Sequence, residues 1–289
     1  MTTINNTLTL LRIPFSVFLM PVFILALSQC TSIDVSKATI SFLIIHLLVY
    51  PASNGYNSYV DKDETPIGGL EHPPMATRSL FYITVVMDSV ALLLSYLFVN
   101  TLFAVAVLLY ILASRAYSAK QIRLKKYPLL GFFVVIIFQG GFTYYMCSLG
   151  ISGLSFDLNT ANLLLLTACS FQIAGVYPLT QIYQHKADYN QGVITISYRL
   201  GYVGTFVFCT LMFVLCNALY YFYFSSMNIL HQFYIVQLFF MPIVAYFVYW
   251  GNKVRLSVAA ANFKNTMRMN AIGALCMNAC FTVLYFLNH

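Results

Sequence analysis

Nine apolar segments, each close to the length needed to cross a bilayer, constrain this chain more than any other feature. They run Thr7–Cys30, Lys37–Tyr56, Leu80–Val99, Thr101–Tyr117, Leu129–Leu149, Ala161–Leu179, Val203–Phe224, Phe233–Trp250 and Met267–Leu287. A transmembrane helix needs about 20 mostly apolar residues, whereas barrel strands are shorter and alternate polar with apolar. The runs fit helices. Only 8% of the 289 residues are charged, against about 25% in a soluble domain. The expected fold is all-α: a polytopic membrane bundle of about nine transmembrane helices, forming a single domain over residues 1–289.

The formal charge of +7 is not a nucleic-acid signal, because the basic residues sit between apolar segments where they meet lipid headgroups. Lys62 and Arg78 lie between the second and third segments. Arg115, Lys120, Arg123, Lys125 and Lys126 surround the fourth–fifth loop. Lys186 and Arg199 follow the sixth segment, and Lys253, Arg255, Lys264 and Arg268 follow the eighth. With nine helices all these loops share one side, and the opposite loops carry only Lys37. The positive-inside rule then puts the N-terminus and the basic loops in the cytoplasm and the C-terminus outside, in an integral protein of the cytoplasmic membrane. The cysteines (Cys30, Cys147, Cys169, Cys209, Cys216, Cys276 and Cys280) are odd in number and form no CxxC. They indicate neither a disulfide framework nor a zinc site and read as small buried side chains.

Two polar clusters fall on the basic side. The first is Asn54-Gly-Tyr-Asn57-Ser-Tyr59-Val-Asp61-Lys62-Asp63-Glu64-Thr-Pro66-Ile-Gly68-Gly69. Asn57 and Asp61 are four residues apart and share a face if the second helix continues. Asp63 and Glu64 add carboxylates where the helix gives way to Pro66 and the glycines. Hard oxygen donors of this kind suit Mg²⁺, which bridges a few carboxylates to substrate phosphates; a solvated acidic loop is the plain alternative. The second cluster, Tyr177 to Thr195, holds Gln181, Gln184 and Asp188 at helical spacing; His185 is either an acid/base group or, as is commoner for a lone loop histidine, solvated. Between them, Arg115-Ala-Tyr117-Ser118-Ala-Lys120-Gln-Ile-Arg123-Leu-Lys125-Lys126 is either an ordinary basic inner loop or a phosphate clamp.

This order of motifs resembles the UbiA superfamily of intramembrane prenyltransferases. Its members carry nine transmembrane helices, N-x-x-x-D-x-x-x-D after the second and D-x-x-x-D after the sixth. Asn57 and Asp61 match the start of the first motif, while its last position falls on Thr65, with Asp63 and Glu64 beside it. Asp188 matches the final aspartate of the second motif, whose first position is Gln184; Gly192, Thr195, Leu200 and Gly201 continue the tail. Tyr117, Ser118, Arg123, Leu124, Lys125 and Lys126 are similar to the family's Y-S-x-x-x-x-R-L-K-R stretch, and Arg12-Ile-Pro14 to its early R-P signature.

The resemblance implies Mg²⁺-dependent transfer of a prenyl group from an isoprenoid diphosphate to a small hydrophobic, aromatic acceptor within the membrane. Asn57, Asp61, Asp63, Glu64, Gln184 and Asp188 would hold the metal. Arg12, Tyr117, Lys120, Arg123, Lys125 and Lys126 would bind the diphosphate. Asp61 and Asp188 would carry the chemistry. Asp88, the one acid well inside a segment, is either a base or acceptor contact or a structural partner of a neighbouring helix. Thr65 and Gln184 each stand where the family has a carboxylate, which leaves the number of metal ions open. Three rivals follow: cyclisation of a prenyl diphosphate on the same scaffold, membrane transport, and a degenerate family member that binds lipid without turnover. A transporter is disfavoured by polar residues that gather at one interface rather than at the midplane.

Overall fold

The computed structural model describes residues 3–289. Among them the regular structure is helical, apart from one isolated antiparallel bridge between Ile67 and Leu70. The helices are α1 (Thr3–Leu11), α2 (Met20–Gln29), α3 (Val35–Asp61), α4 (Arg78–Phe98), α5 (Thr101–Ser118), α6 (Pro128–Ser152), α7 (Thr160–Gln181), α8 (His185–Asn190), α9 (Ile196–Ser226), α10 (Leu230–Leu256) and α11 (Phe263–Asn288). Eight of these are long and apolar enough to span a membrane, or nine spans if the broken first segment counts as one. The chain is therefore an all-α polytopic bundle.

The first apolar segment is not the continuous helix expected over Thr7–Cys30. Arg12 takes the left-handed conformation (φ 48°), a 3-10 turn covers Ile13–Phe18, and α2 starts again at Met20. Pro14 and Pro21 explain the interruption: neither has the N–H that a helix interior requires, and both sit in first turns, where none is needed.

Two compact units make up the chain. The first takes in the chain up to Met20, Cys30–Leu124 and Met146–Phe156; the second takes in Pro21–Gln29, Lys125–Tyr145 and Asp157–His289. In the first unit α3 widens into a π turn over Ile44–Val49, with the Tyr50 N–H bonded to the Ile45 carbonyl. The widening comes immediately before Pro51, whose ring and missing N–H disrupt an ordinary α-helical ladder. Gly55 lets α3 approach its neighbours. A Cβ there would stand 2.9 Å from both Leu11 Cδ2 and Thr84 Cγ2.

In the second unit α6 has its own π turn at Ile137–Gly141. The Gly141 N–H donates to Ser170 Oγ on α7 at 3.0 Å, and Thr143 Oγ1 donates back to the Phe138 carbonyl at 2.6 Å. Both contacts satisfy backbone groups near the π turn, a requirement that lipid makes strict. The helices meet backbone to backbone: a Cβ on Gly140 would lie 2.6 Å from Ser170 Cα, and one on Gly141 2.7 Å from the Leu166 carbonyl oxygen.

Candidate active site

In the first unit α3 continues to Asp61, so Asn57 and Asp61 do lie one turn apart on the same helix. Lys62 ends it in the left-handed conformation (φ 53°), its N–H bonded to the Ser58 carbonyl at 3.0 Å. Asp63 is half-buried and Glu64 exposed in the following loop. That loop closes in a tight turn, where Ile67 and Leu70 exchange two backbone hydrogen bonds of 2.9 Å.

The basic stretch meets this motif at a specific place. Buried Ser118, the last residue of α5, donates its hydroxyl to Asn57 Oδ1 at 3.0 Å. One turn earlier, Ser114 Oγ and Ser53 Oγ share a 2.5 Å hydrogen bond. Tyr117 is half-buried beside Ser118 and Lys120 is exposed. Half-buried Arg123 turns the chain in the left-handed conformation (φ 47°), with its N–H on the Ala119 carbonyl at 2.7 Å. Lys125, half-buried, and Lys126, exposed, follow in a 3-10 turn over Leu124–Lys126. Arg12 is buried. Its Nη1 donates to the Gly68 carbonyl at 2.9 Å and its Nη2 to the Asn54 carbonyl at 3.2 Å.

Asp88 is in an ion pair. The Arg115 guanidinium donates to its carboxylate from Nε at 2.9 Å and from Nη2. Nη1 reaches Thr84 Oγ1 at 3.2 Å, and the guanidinium carbon lies 4.0 Å from the Tyr56 ring centroid. Asp88 thus has the partner on a neighbouring helix that was one of the two expectations for it. Arg115, the first residue of the stretch expected to be either an inner loop or a phosphate clamp, is engaged with Asp88. An intramembrane carboxylate calls for a cation, and Arg115 on the next helix supplies it.

In the second unit the polypeptide leaves α7 at Gln181, turns, and enters α8 at His185. Gln184 accepts the Asp188 N–H on its carbonyl at 2.8 Å, so these two keep helical spacing, while buried Gln181 belongs to the preceding helix. Asp188 and Gln184 are both half-buried. The Asp188 carbonyl takes the Val193 N–H at 2.9 Å, and Gly192 makes the turn at φ 70°.

The expectation for His185 is corrected: it is not solvated but buried. Its Nε2 bonds Ser197 Oγ at 2.8 Å, and Ser197 Oγ bonds Thr205 Oγ1 at 3.0 Å. Thr205 Oγ1 also reaches the Gly201 carbonyl at 2.7 Å, where non-helical φ/ψ (68°, 178°) interrupts α9. Tyr202 packs on the imidazole at 4.7 Å between ring centroids, and burial pushes its pKa down to about 4. Ser197 and Thr205 escaped sequence reading because nothing in their local pattern marks them; their partner lies beyond a turn.

The donor set on the first motif is all oxygen: the Asn57 amide and the Asp61, Asp63 and Glu64 carboxylates. The second motif offers the Gln184 amide and the Asp188 carboxylate. Among the described residues no three His, Cys, Asp or Glu side chains form a metal-binding group. Oxygen donors of this kind are those that Mg²⁺ takes together with waters and substrate phosphates, but the structure does not gather Asp61, Asp63 and Glu64 into one three-carboxylate group.

Helical architecture and span lengths define the class: an integral, multi-pass, all-helical membrane protein. Residues 17–272 match the UbiA prenyltransferase family, and the chain belongs to that family. Among solved structures it is similar to an apo UbiA homolog from Aeropyrum pernix K1 (17% identity, TM-score 0.70, covering 94% of this chain and 98% of that one). It is also similar to a UbiA homolog from Archaeoglobus fulgidus bound to DMAPP and Mg²⁺ (15% identity, TM-score 0.65, covering 98% and 99%). A third similarity is to a structure described as digeranylgeranylglyceryl phosphate synthase (16% identity, TM-score 0.62, covering 100% and 99%). No curated protein matches the chain.

Proposed function

We propose that this protein transfers a prenyl group from an isoprenoid diphosphate to a small aromatic acceptor within the membrane, in a reaction that depends on Mg²⁺. One observation carries the reading. The Ser118–Asn57 hydrogen bond joins two family-like motifs that lie 61 residues apart in sequence. Membership of the UbiA family supports the reaction class, and the relative bound to DMAPP and Mg²⁺ supports the donor and the metal.

Each residue has a role in this account. Asn57, Asp61, Asp63 and Glu64 on the first motif would hold a cation through oxygen, and Gln184 and Asp188 on the second would offer donors of the same kind. Bound Mg²⁺ would neutralise the diphosphate and make pyrophosphate a better leaving group. Arg123 and Lys125 offset charge growing on the leaving oxygens, with Tyr117, Lys120 and Lys126 contributing to diphosphate binding. Ser118 fixes the Asn57 amide so that its oxygen faces one way before substrate arrives. The allylic cation left by ionisation is stabilised by aromatic faces and captured by the acceptor. Asp88, already paired with Arg115, keeps α3, α4 and α5 in place rather than removing a proton. The distribution of Lys and Arg supports an orientation with the motif loops in the cytoplasm and the C-terminus outside.

Product analysis tests the reading. Purified protein with geranyl, farnesyl or geranylgeranyl diphosphate and a panel of aromatic acids should yield prenylated acceptor. Terpene hydrocarbon from donor alone would instead assign a cyclase. Solute uptake without diphosphate cleavage would assign a transporter.

A further inference from the structure

Arg12 and Phe15 stand at the break in the first segment, and both reach the turn that closes the first-motif loop. The two terminal nitrogens of Arg12 take the carbonyls of Gly68, in that turn, and Asn54, on α3 one turn before Asn57. One planar fork thus ties loop to helix, a geometry that a lysine ammonium does not reproduce. The guanidinium carbon lies 5.6 Å from the Phe15 ring centroid. The ring fills the space that side chains would need on the turn: a Cβ on Gly68 or on Gly69 would lie 2.9 Å from a ring carbon. Gly69 also has φ 86°, a conformation that side chains disfavour. Arg12 itself holds φ 48°, which aims a buried cation at backbone oxygens from inside a break in the helix.

We propose that Arg12 is a positioning residue which, with Phe15, staples the Gly68–Gly69 turn to α3 and thereby sets the segment that carries Asp63 and Glu64. The segment is fixed at both ends: by the Lys62 cap on Ser58 and by this staple. Arg12 acts through the backbone of the motif and not on diphosphate oxygens. The catalytic consequence rests on the reading of this motif as the Mg²⁺–diphosphate site; the mechanical one does not.

The test uses the full chain in detergent, with two readouts. Hydrogen exchange over residues 62–70 reports the staple, and pyrophosphate release against Mg²⁺ and donor concentration reports its consequence. Arg12→Gln, Arg12→Lys, Gly68→Ala and the milder Phe15→Leu are compared with the wild type. Arg12→Gln and Gly68→Ala should each speed exchange in the loop by about tenfold. Each should raise the Mg²⁺ needed for half-maximal release, with donor KM unchanged at saturating Mg²⁺. Arg12→Lys should not rescue, Phe15→Leu should give a smaller change of the same kind, and the Arg12→Gln/Gly68→Ala double variant should be no worse than the worse single one. Unchanged exchange in Arg12→Gln and Phe15→Leu would overturn the proposal. So would a raised donor KM in Arg12→Gln that Arg12→Lys restores, since that marks a contact of charge with the diphosphate. If the wild type releases no pyrophosphate from any donor, the functional reading fails while the exchange result still decides the staple.

Discussion

Asn57 has a side-chain oxygen that accepts from the Ser118 hydroxyl. Ser118→Ala removes that donor and one constraint on the amide's orientation. A neutral hydrogen bond of this kind contributes about 0.5–1.5 kcal/mol. The variant should therefore lose roughly 3- to 10-fold in kcat/KM for pyrophosphate release, while Ser118→Thr, which keeps the hydroxyl, should stay near wild type. At Asp88 the same scale gives a different outcome. Arg115→Ala leaves a carboxylate without its cation among apolar helices and should cost about 3 kcal/mol, seen as a lower Tm in detergent. The double variant Asp88→Leu/Arg115→Met should recover much of that stability and remain active, which a catalytic base would not allow. Sequence could point to Asp88 as unusual but could not choose its partner, because Arg115 lies 27 residues away on the next helix. His185 was misread for the same reason: its burial depends on Ser197 and Tyr202, beyond a turn.

The helices were legible almost to the residue where hydropathy alone decides them. Leu80–Val99 was expected and Arg78–Phe98 is found; Thr101–Tyr117 was expected and Thr101–Ser118 is found. Breaks were less legible, because an averaging window passes over Pro14 and Pro51 when their surroundings stay apolar. The π turns in α3 and α6 come from backbone groups that a proline or a packed glycine pair forces to find new partners. Gly140 and Gly141 give the clearest prediction on this scale. Gly141→Leu drives a side chain into the Leu166 carbonyl and should cost about 3 kcal/mol in thermal unfolding. A Cβ on Gly273 in α11 meets nothing within 4 Å, so Gly273→Ala should be neutral or stabilising by up to about 1 kcal/mol.

Across the whole molecule, lipid and charge together set what the chain can be. The apolar segments require a multi-pass bundle, and exposed side chains such as Tyr82, Val86, Leu93 and Leu97 on α4 give it an apolar stripe suited to acyl chains. The basic residues cluster on one set of loops and predict the orientation. A single-cysteine variant labelled at His289 should react with an impermeant thiol reagent from outside intact cells, and one labelled at Lys186 only after lysis. The candidate site was legible as two motifs and a basic stretch. Its supports (Ser118, Arg115, the Arg12–Phe15 staple and the His185 chain) were not, because each is a contact between residues distant in sequence. The central claim is that Asp61 and Asp188 serve Mg²⁺-dependent ionisation of an isoprenoid diphosphate. It is tested most directly by pyrophosphate release from geranyl, farnesyl and geranylgeranyl diphosphates, with Mg²⁺ or with chelator, in the presence of the aromatic acceptors. The account predicts release by the wild type that chelator abolishes and that Asp61→Ala and Asp188→Ala each reduce at least 100-fold, about 2.7 kcal/mol or more of transition-state stabilisation. Release that persists in chelator, or in both variants, would contradict it, as would no release from any donor.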